Sequence, residues 1–225
     1  MRRTSASLSA LVLALLLFLS PVLSTPAPAD WLDEFGPWAL QKGWELLSNS
    51  LGQLMESVDS KAEKGDREAQ FGLGLMYYLG KEGKTKNYTQ AANWFRKAAE
   101  QGHGRAQFVL GAMYDEGQGV RQDYAEAAHW FRSAAEQGNA AAQCNLGFMY
   151  ANGQGVRHDY AEAAHWFRSA TEQGNAAAQC NLGLMYENGQ GVGQDYAEAV
   201  KWFRIAAQHG QEDARKVLKE IGVSY

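Results

Sequence analysis

The sequence predicts an all-α fold, a solenoid of antiparallel helix pairs closed by N- and C-terminal caps, on three observations. The strings YDEGQGVRQDYAEAAHWF, YANGQGVRHDYAEAAHWF and YENGQGVGQDYAEAVKWF begin at Tyr114, Tyr150 and Tyr186, 36 residues apart. A degenerate fourth copy, YYLGKEGKTKNYTQAANWF, begins at Tyr77, with one extra residue in its loop. A fixed period in this range marks stacked supersecondary units. Within each period, apolar residues recur at helical spacing in two runs separated by a glycine-rich turn. Residues suited to cap helices stand at the ends of both runs.

The chain opens with MRRTSASLSALVLALLLFLSPVLSTPAPAD. Arg2 and Arg3 give a positive start, Leu8 to Leu19 is an apolar run too short to span a bilayer comfortably, and Ala27 and Ala29 form an A-x-A site. Residues 1–29 are expected to be a secretory signal peptide, and the protein to be exported, periplasmic or secreted. Residues 30–50, DWLDEFGPWALQKGWELLSNS, form an aromatic-rich segment with Trp31, Trp38 and Trp44, broken by Pro37. An extra helix on the cap is one reading of it; a contact with membrane or partner is the other.

Residues 51–65 align with a second helix, Ala62 and Gly65 falling where Ala99 and Gly102 do, and Ser57 replacing the Trp. They are expected to be an N-terminal half-unit. Four units follow, over residues 66–102, 103–138, 139–174 and 175–210. In the third, Asn139 is the expected N-cap of the first helix. Ala142, Leu146, Gly147 and Tyr150 share one face. Gly147 recurs as Gly74, Gly111 and Gly183, so a neighbouring helix is expected to approach closely there. After the GQGV loop, Asp159 with Glu162 reads as a reciprocal capping arrangement, as do Asp123 with Glu126 and Asp195 with Glu198. Ala163, Ala164, Phe167 and Ala170 form the inner stripe of the second helix, and Gly174 closes it. Residues 211–225 begin like a first helix and turn charged, as a polar C-terminal cap should.

This reading disposes of the chemistry that the repeated stretch suggests. Gly153 and Gly155 look like a phosphate cradle, and His158, Asp159 and His165 like metal ligands. Their recurrence in register makes the glycines turn residues and Asp159 a cap. His129 and His165 occupy a position filled elsewhere by Asn93 and Lys201, which marks it as exposed. No H-E-x-x-H or C-x-x-C spacing occurs. Gly83-Lys84-Thr85 resembles the end of a phosphate-binding loop, but Tyr78 stands where that motif needs glycine, and no strand precedes it. No cofactor or metal is expected. Asn87-Tyr88-Thr89 is a glycosylation triplet, meaningful only in a eukaryotic secretory route. The net charge of -4 gives no basic field for nucleic acid.

Ala142, Leu146, Gly147, Met149, Tyr150, Gly153, Gly155, Val156, Asp159, Ala163, Trp166, Ala170, Gly174 and their counterparts resemble the Sel-one-like repeat family, a branch of the tetratricopeptide-like helical repeats. The likeness covers roughly residues 66 to 210. It implies a right-handed superhelix of antiparallel helix pairs, and a non-catalytic scaffold that binds protein or peptide. Some secreted relatives carry a cysteine pair within each repeat and have been associated with penicillin hydrolysis. This chain departs from that pattern, having only Cys144 and Cys180, at one position of consecutive units. Equivalent positions on adjacent packed helices lie about 8–10 Å apart, whereas a disulfide needs Cα atoms within about 7 Å. Both cysteines are therefore expected to be free.

The first helices of such a solenoid line an extended groove. On their outward face the second unit places Arg105, the third Asn145 and Phe148, and the fourth Asn181 and Leu184. Asn offers donor and acceptor to a peptide backbone, Phe148 and Leu184 add apolar contact, and Arg105 is placed to meet a carboxylate. The expected function is an exported adaptor that binds a protein or peptide here, with membrane contact only through the aromatic segment. The alternative is a cell-wall-related hydrolase, β-lactamase-like, or a glycan-binding protein.

Overall fold

Nine 9- to 13-residue helices follow a helical stretch at 58–63 in the computed structural model, which describes residues 58–223. The expected signal peptide, the aromatic segment and residues 51–57 of the expected half-unit lie outside the described residues. The helices form four pairs: α1 (Arg67–Leu79) with α2 (Tyr88–Glu100), α3 (Gly104–Glu116) with α4 (Tyr124–Glu136), α5 (Ala140–Asn152) with α6 (Tyr160–Glu172), and α7 (Ala176–Asn188) with α8 (Tyr196–Gln208). A shorter α9 (Glu212–Glu220) packs on α8. Each helix touches chiefly the one before and the one after it. The result is an all-α solenoid.

The recurrent glycine inside each first helix answers to a phenylalanine of its partner. A Cβ at Gly74, Gly111, Gly147 or Gly183 would come within 2.6, 2.8, 2.9 or 2.7 Å of the ring of Phe95, Phe131, Phe167 or Phe203. Those four phenylalanines are at most 2% exposed, and burying each contributes about 1.5–3 kcal/mol. Glycine's helix penalty of about 1 kcal/mol is offset by the close approach it permits. Small residues complete the seam, with Ala163, Ala164 and Ala170 fully buried in α6.

The GQGV turn joins each unit to the one before. Gly155 has φ +67, and a Cβ there would stand 2.0 Å from the Tyr124 carbonyl oxygen, on the first residue of the preceding second helix. Gly119 on Tyr88 and Gly191 on Tyr160 repeat the contact. Only glycine combines that conformation with that approach. The valine that follows packs back as well: Val120, Val156 and Val192 border the first, second and third core clusters.

The caps are made largely as the sequence indicates. Asn139 Oδ1 accepts from the Ala142 N–H at 2.9 Å, and Asp159 Oδ1 from the N–H groups of Ala161 and Glu162 at 2.9 and 3.1 Å. The reciprocal half of the arrangement is not formed. The Asp159 N–H donates to the Tyr150 carbonyl at 3.0 Å, so Glu162 has no donor to reach back to. Its counterparts find other partners: Glu126 accepts from Trp130 Nε1, and Glu198 pairs with Lys201. The second helices stop just short of the glycines, with α6 capped by Gln173 and the N–H of Asn175 returning to the Ala170 carbonyl. In α9, Lys219 falls where Gly183 stands in α7, so this helix offers no notch for another phenylalanine.

Two glycine substitutions separate the packing account from simple helix propensity. Gly147→Ala should lower stability by about 1–3 kcal/mol, as overpacking does, because the Phe167 ring must move. Gly72→Ala, in α1 where no atom lies within 4 Å of the new Cβ, should raise it by about 0.5–1 kcal/mol. Urea unfolding midpoints of both proteins check this.

Candidate binding face on the first helices

The five residues singled out from the sequence lie on α3, α5 and α7, at matching positions of successive units. Phe148 on α5 is 49% exposed, an apolar ring left outside the core. Leu184, its counterpart on α7, is half-buried and packs against the fourth core cluster. Asn145 and Asn181 are half-buried rather than open to solvent. Asn181 Nδ2 donates to the Ala177 carbonyl one turn back at 2.9 Å, which ties down its amide and leaves Oδ1 as an acceptor. Asn145 makes no side-chain hydrogen bond among the described residues. At the next turn Asn152 and Asn188 are exposed, each with Nδ2 on the carbonyl four residues earlier, at 2.8 and 2.9 Å.

Arg105 is exposed, but it is engaged. Its guanidinium lies 5.0 Å from the Phe71 ring centroid and 3.8 Å from Glu68 Oε2, both on α1. It leans toward the first unit, not toward Asn145. Among the described residues no hydrogen bond or ion pair joins any two of the five. They form a row, not a cluster.

Sequence reasoning passed over the residue that organises the Arg105 end. His103 caps α3, its Nδ1 accepting from the Ala106 N–H at 3.1 Å. Only 5% exposed, its ring stacks on Phe71 at 4.4 Å. Its Nε2 lies 3.2 Å from Glu68 Oε2. Arg67, Glu68, His103, Arg105, Gln137 and Asn139 line an open groove of about 440 Å³. The signal was available, because His103 stands 36 residues before Asn139, where the third and fourth units place an asparagine cap.

Elsewhere the titratable residues are structural or exposed. Asp159 is spent on its cap, while His129, His158 and His165 are exposed. Among the described residues no group of three or more His, Cys, Asp or Glu side chains is placed to hold a metal ion. Burial, with the neighbouring Glu116 charge, raises the Asp115 carboxyl above its usual range. Cys144 and Cys180 are buried free thiols. Cys144 packs in the third core cluster with Phe167, and Cys180 in the fourth with Phe203.

The Sel1 repeat model matches residues 67–103, 104–139, 140–175 and 176–211. Component HRD3A of an ERAD-associated E3 ubiquitin-protein ligase in Arabidopsis thaliana is 37% identical over 62 residues, 28% of this chain and 9% of that protein. The secretory immunoglobulin A-binding protein EsiB of Escherichia coli is 48% identical over 50 residues, 22% of this chain and 10% of that protein. The chain thus matches about a tenth of the length of each. The crystal structure of c5321, a protective antigen of uropathogenic Escherichia coli with an SLR fold, superposes with a TM-score of 0.69 at 44% identity, over 75% of this chain and 37% of that one. Among the described residues no helix is long and apolar enough to cross a membrane.

The thiols provide a check on the packing of this region. Burial pushes both up to about 11 from an ordinary 9.0, with a smaller contribution from Asp213 at Cys180. Folding therefore favours the protonated form, and that part of the stability is complete below pH 9.0 and lost as pH rises from about 9.0 to about 11. Alkylation at about pH 8 should be slow in the folded protein and fast in denaturant. Intact mass after denaturing alkylation should show two labels. A monomer two protons lighter and without label would contradict it.

Proposed function

This chain belongs to the Sel1 repeat family, and from that premise we propose that it is an exported, non-catalytic adaptor that holds an extended peptide segment of a partner across its first helices. Sel1 repeat proteins generally mediate protein–protein interaction. The single observation that carries the finer reading is the row on α3, α5 and α7. It sets an exposed aromatic ring, Phe148, beside amide side chains at the same position of consecutive helices. An extended chain offers donors and acceptors in a row, and Asn145 and Asn181 supply matching groups. Leu184 extends the apolar contact, and Arg105 stands at one end with donors left over from Glu68 for a carboxylate of the partner. The names of two relatives agree with the class: HRD3A is a component of a ligase assembly, and EsiB binds an immunoglobulin.

Export to the periplasm or the outside rests on residues 1–29, with their paired arginines, short apolar run and A-x-A site. A partner recovered from the native exported fraction supplies the ligand for the test. Asn145→Ala combined with Asn181→Ala should leave helicity unchanged and weaken binding by about 1 kcal/mol or more, the order of one or two lost hydrogen bonds, read by titration calorimetry. Unchanged affinity would move the site away from this row, toward the segment around Trp31, Trp38 and Trp44. Turnover of penicillin-type or peptidoglycan substrates by the purified chain would overturn the non-catalytic reading.

A further inference from the structure

We propose that His103 makes the junction between the first and second helix pairs sensitive to acid, a proton on its ring removing the cap of α3 and committing the ring to Glu68. The inference is independent of which partner binds there. It rests on the two bonds the ring makes at once. Nδ1 accepts from the Ala106 N–H at 3.1 Å, so the proton of the neutral ring sits on Nε2 and is donated to Glu68 Oε2, 3.2 Å away. An imidazolium has donors only. Its Nδ1–H would face the Ala106 N–H, donor against donor.

The surroundings decide which bond yields. The ring is stacked on Phe71, with 23° between the planes, so it has little room to turn aside in place. The charged groups that line this site are Glu68 on α1, whose carboxylate binds the imidazolium more tightly, Arg67 on α1, which donates to the Gln101 carbonyl at 3.5 Å, and Arg105 on α3, which shares the same Glu68 oxygen at 3.8 Å. α2 meets His103 with the Ala98 carbonyl, which accepts from its backbone N–H at 3.1 Å. α4 brings the uncharged Gln137 amide beside Gly104. Protonation therefore shifts the ring's allegiance from α3 to Glu68. The third and fourth units have no such dependence, because Asn139 and Asn175 make the same cap, to Ala142 and Ala178 at 2.9 Å each, with an amide that does not titrate.

Those two caps are internal references. Amide hydrogen exchange by NMR on the full chain, corrected for intrinsic rates, should be followed from about pH 7.5 to about pH 5, the range in which histidine acts as a switch. The ring's own protonation is read from its Cε1–H shift. Protection of the Ala106 N–H relative to Ala142 and Ala178 should fall about fivefold, the factor one helix cap supplies, in step with the ring. His103→Asn should hold the high-pH ratio throughout. A constant ratio while the ring protonates, a ring that stays neutral over the whole range, or the same fall in His103→Asn would each overturn the proposal. Should that variant fail to fold, the wild-type ratio decides alone.

Discussion

A buried glutamine, repeated once per unit, holds the stack together. Gln107 on α3 donates through Nε2 to the Ala99 carbonyl of α2 at 3.1 Å, and its Oε1 accepts from Gln137, at the end of α4, at 2.6 Å. One side chain thus joins three helices of two units. Gln143 repeats both bonds, to Ala135 and from Gln173, at 3.1 and 2.9 Å, as does Gln70 with Ala62 and Gln101. At the C-terminal end the chemistry is replaced while the contacts stay. His209 meets Gln179, and Arg215 Nε donates to the Ala207 carbonyl. Each glutamine is at most 7% exposed, so losing a partner leaves a buried group unsatisfied, at a cost of about 1–3 kcal/mol. The bond is directional where the surrounding alanine and leucine packing is not, and it fixes the register of one pair on the next.

Register is what turns a repeated sequence into a usable surface. With every first helix held alike, a side chain one position off the core returns at the same place in each unit, and Asn145, Phe148, Asn181 and Leu184 fall into a row. Outward positions are free to vary because the core does not use them. The second unit carries His103, Gly104 and Arg105 where the third and fourth carry Asn-Ala-Ala. Its deviations gather at one end of the row, beside Glu68 and Phe71.

The period and the caps were legible because both follow from local rules: the spacing of Ala142, Leu146 and Tyr150, and the preference for Asn139 or Asp159 before a helix. The recurrence of Gly147 told that something approached, and Phe167 proved to be the group. Other features needed three dimensions. Glu162 looked like half of a capping box, but the Tyr150 carbonyl already holds the Asp159 N–H. Arg105 looked free, but Glu68, 37 residues earlier, holds it. Asn145 and Asn181 lie on the face opposite Ala142, Leu146 and Tyr150 and so looked exposed, yet both are half-buried. Gln143 drew no notice at all, since a single polar residue in a helix carries no period of its own until units are compared.

The most direct test of this account is amide hydrogen exchange across the whole stack after Gln143→Leu. Leucine keeps the bulk and removes both hydrogen bonds of Gln143, the one to the Ala135 carbonyl that joins the second and third units and the one from Gln173 within the third. Protection should drop about tenfold or more, as a buried unsatisfied carbonyl implies, at the end of α4 and along α5. It should hold in α1 and α8, because each unit of a solenoid is coupled mainly to its neighbours. Protection lost equally in all four pairs, or lost nowhere, would contradict it.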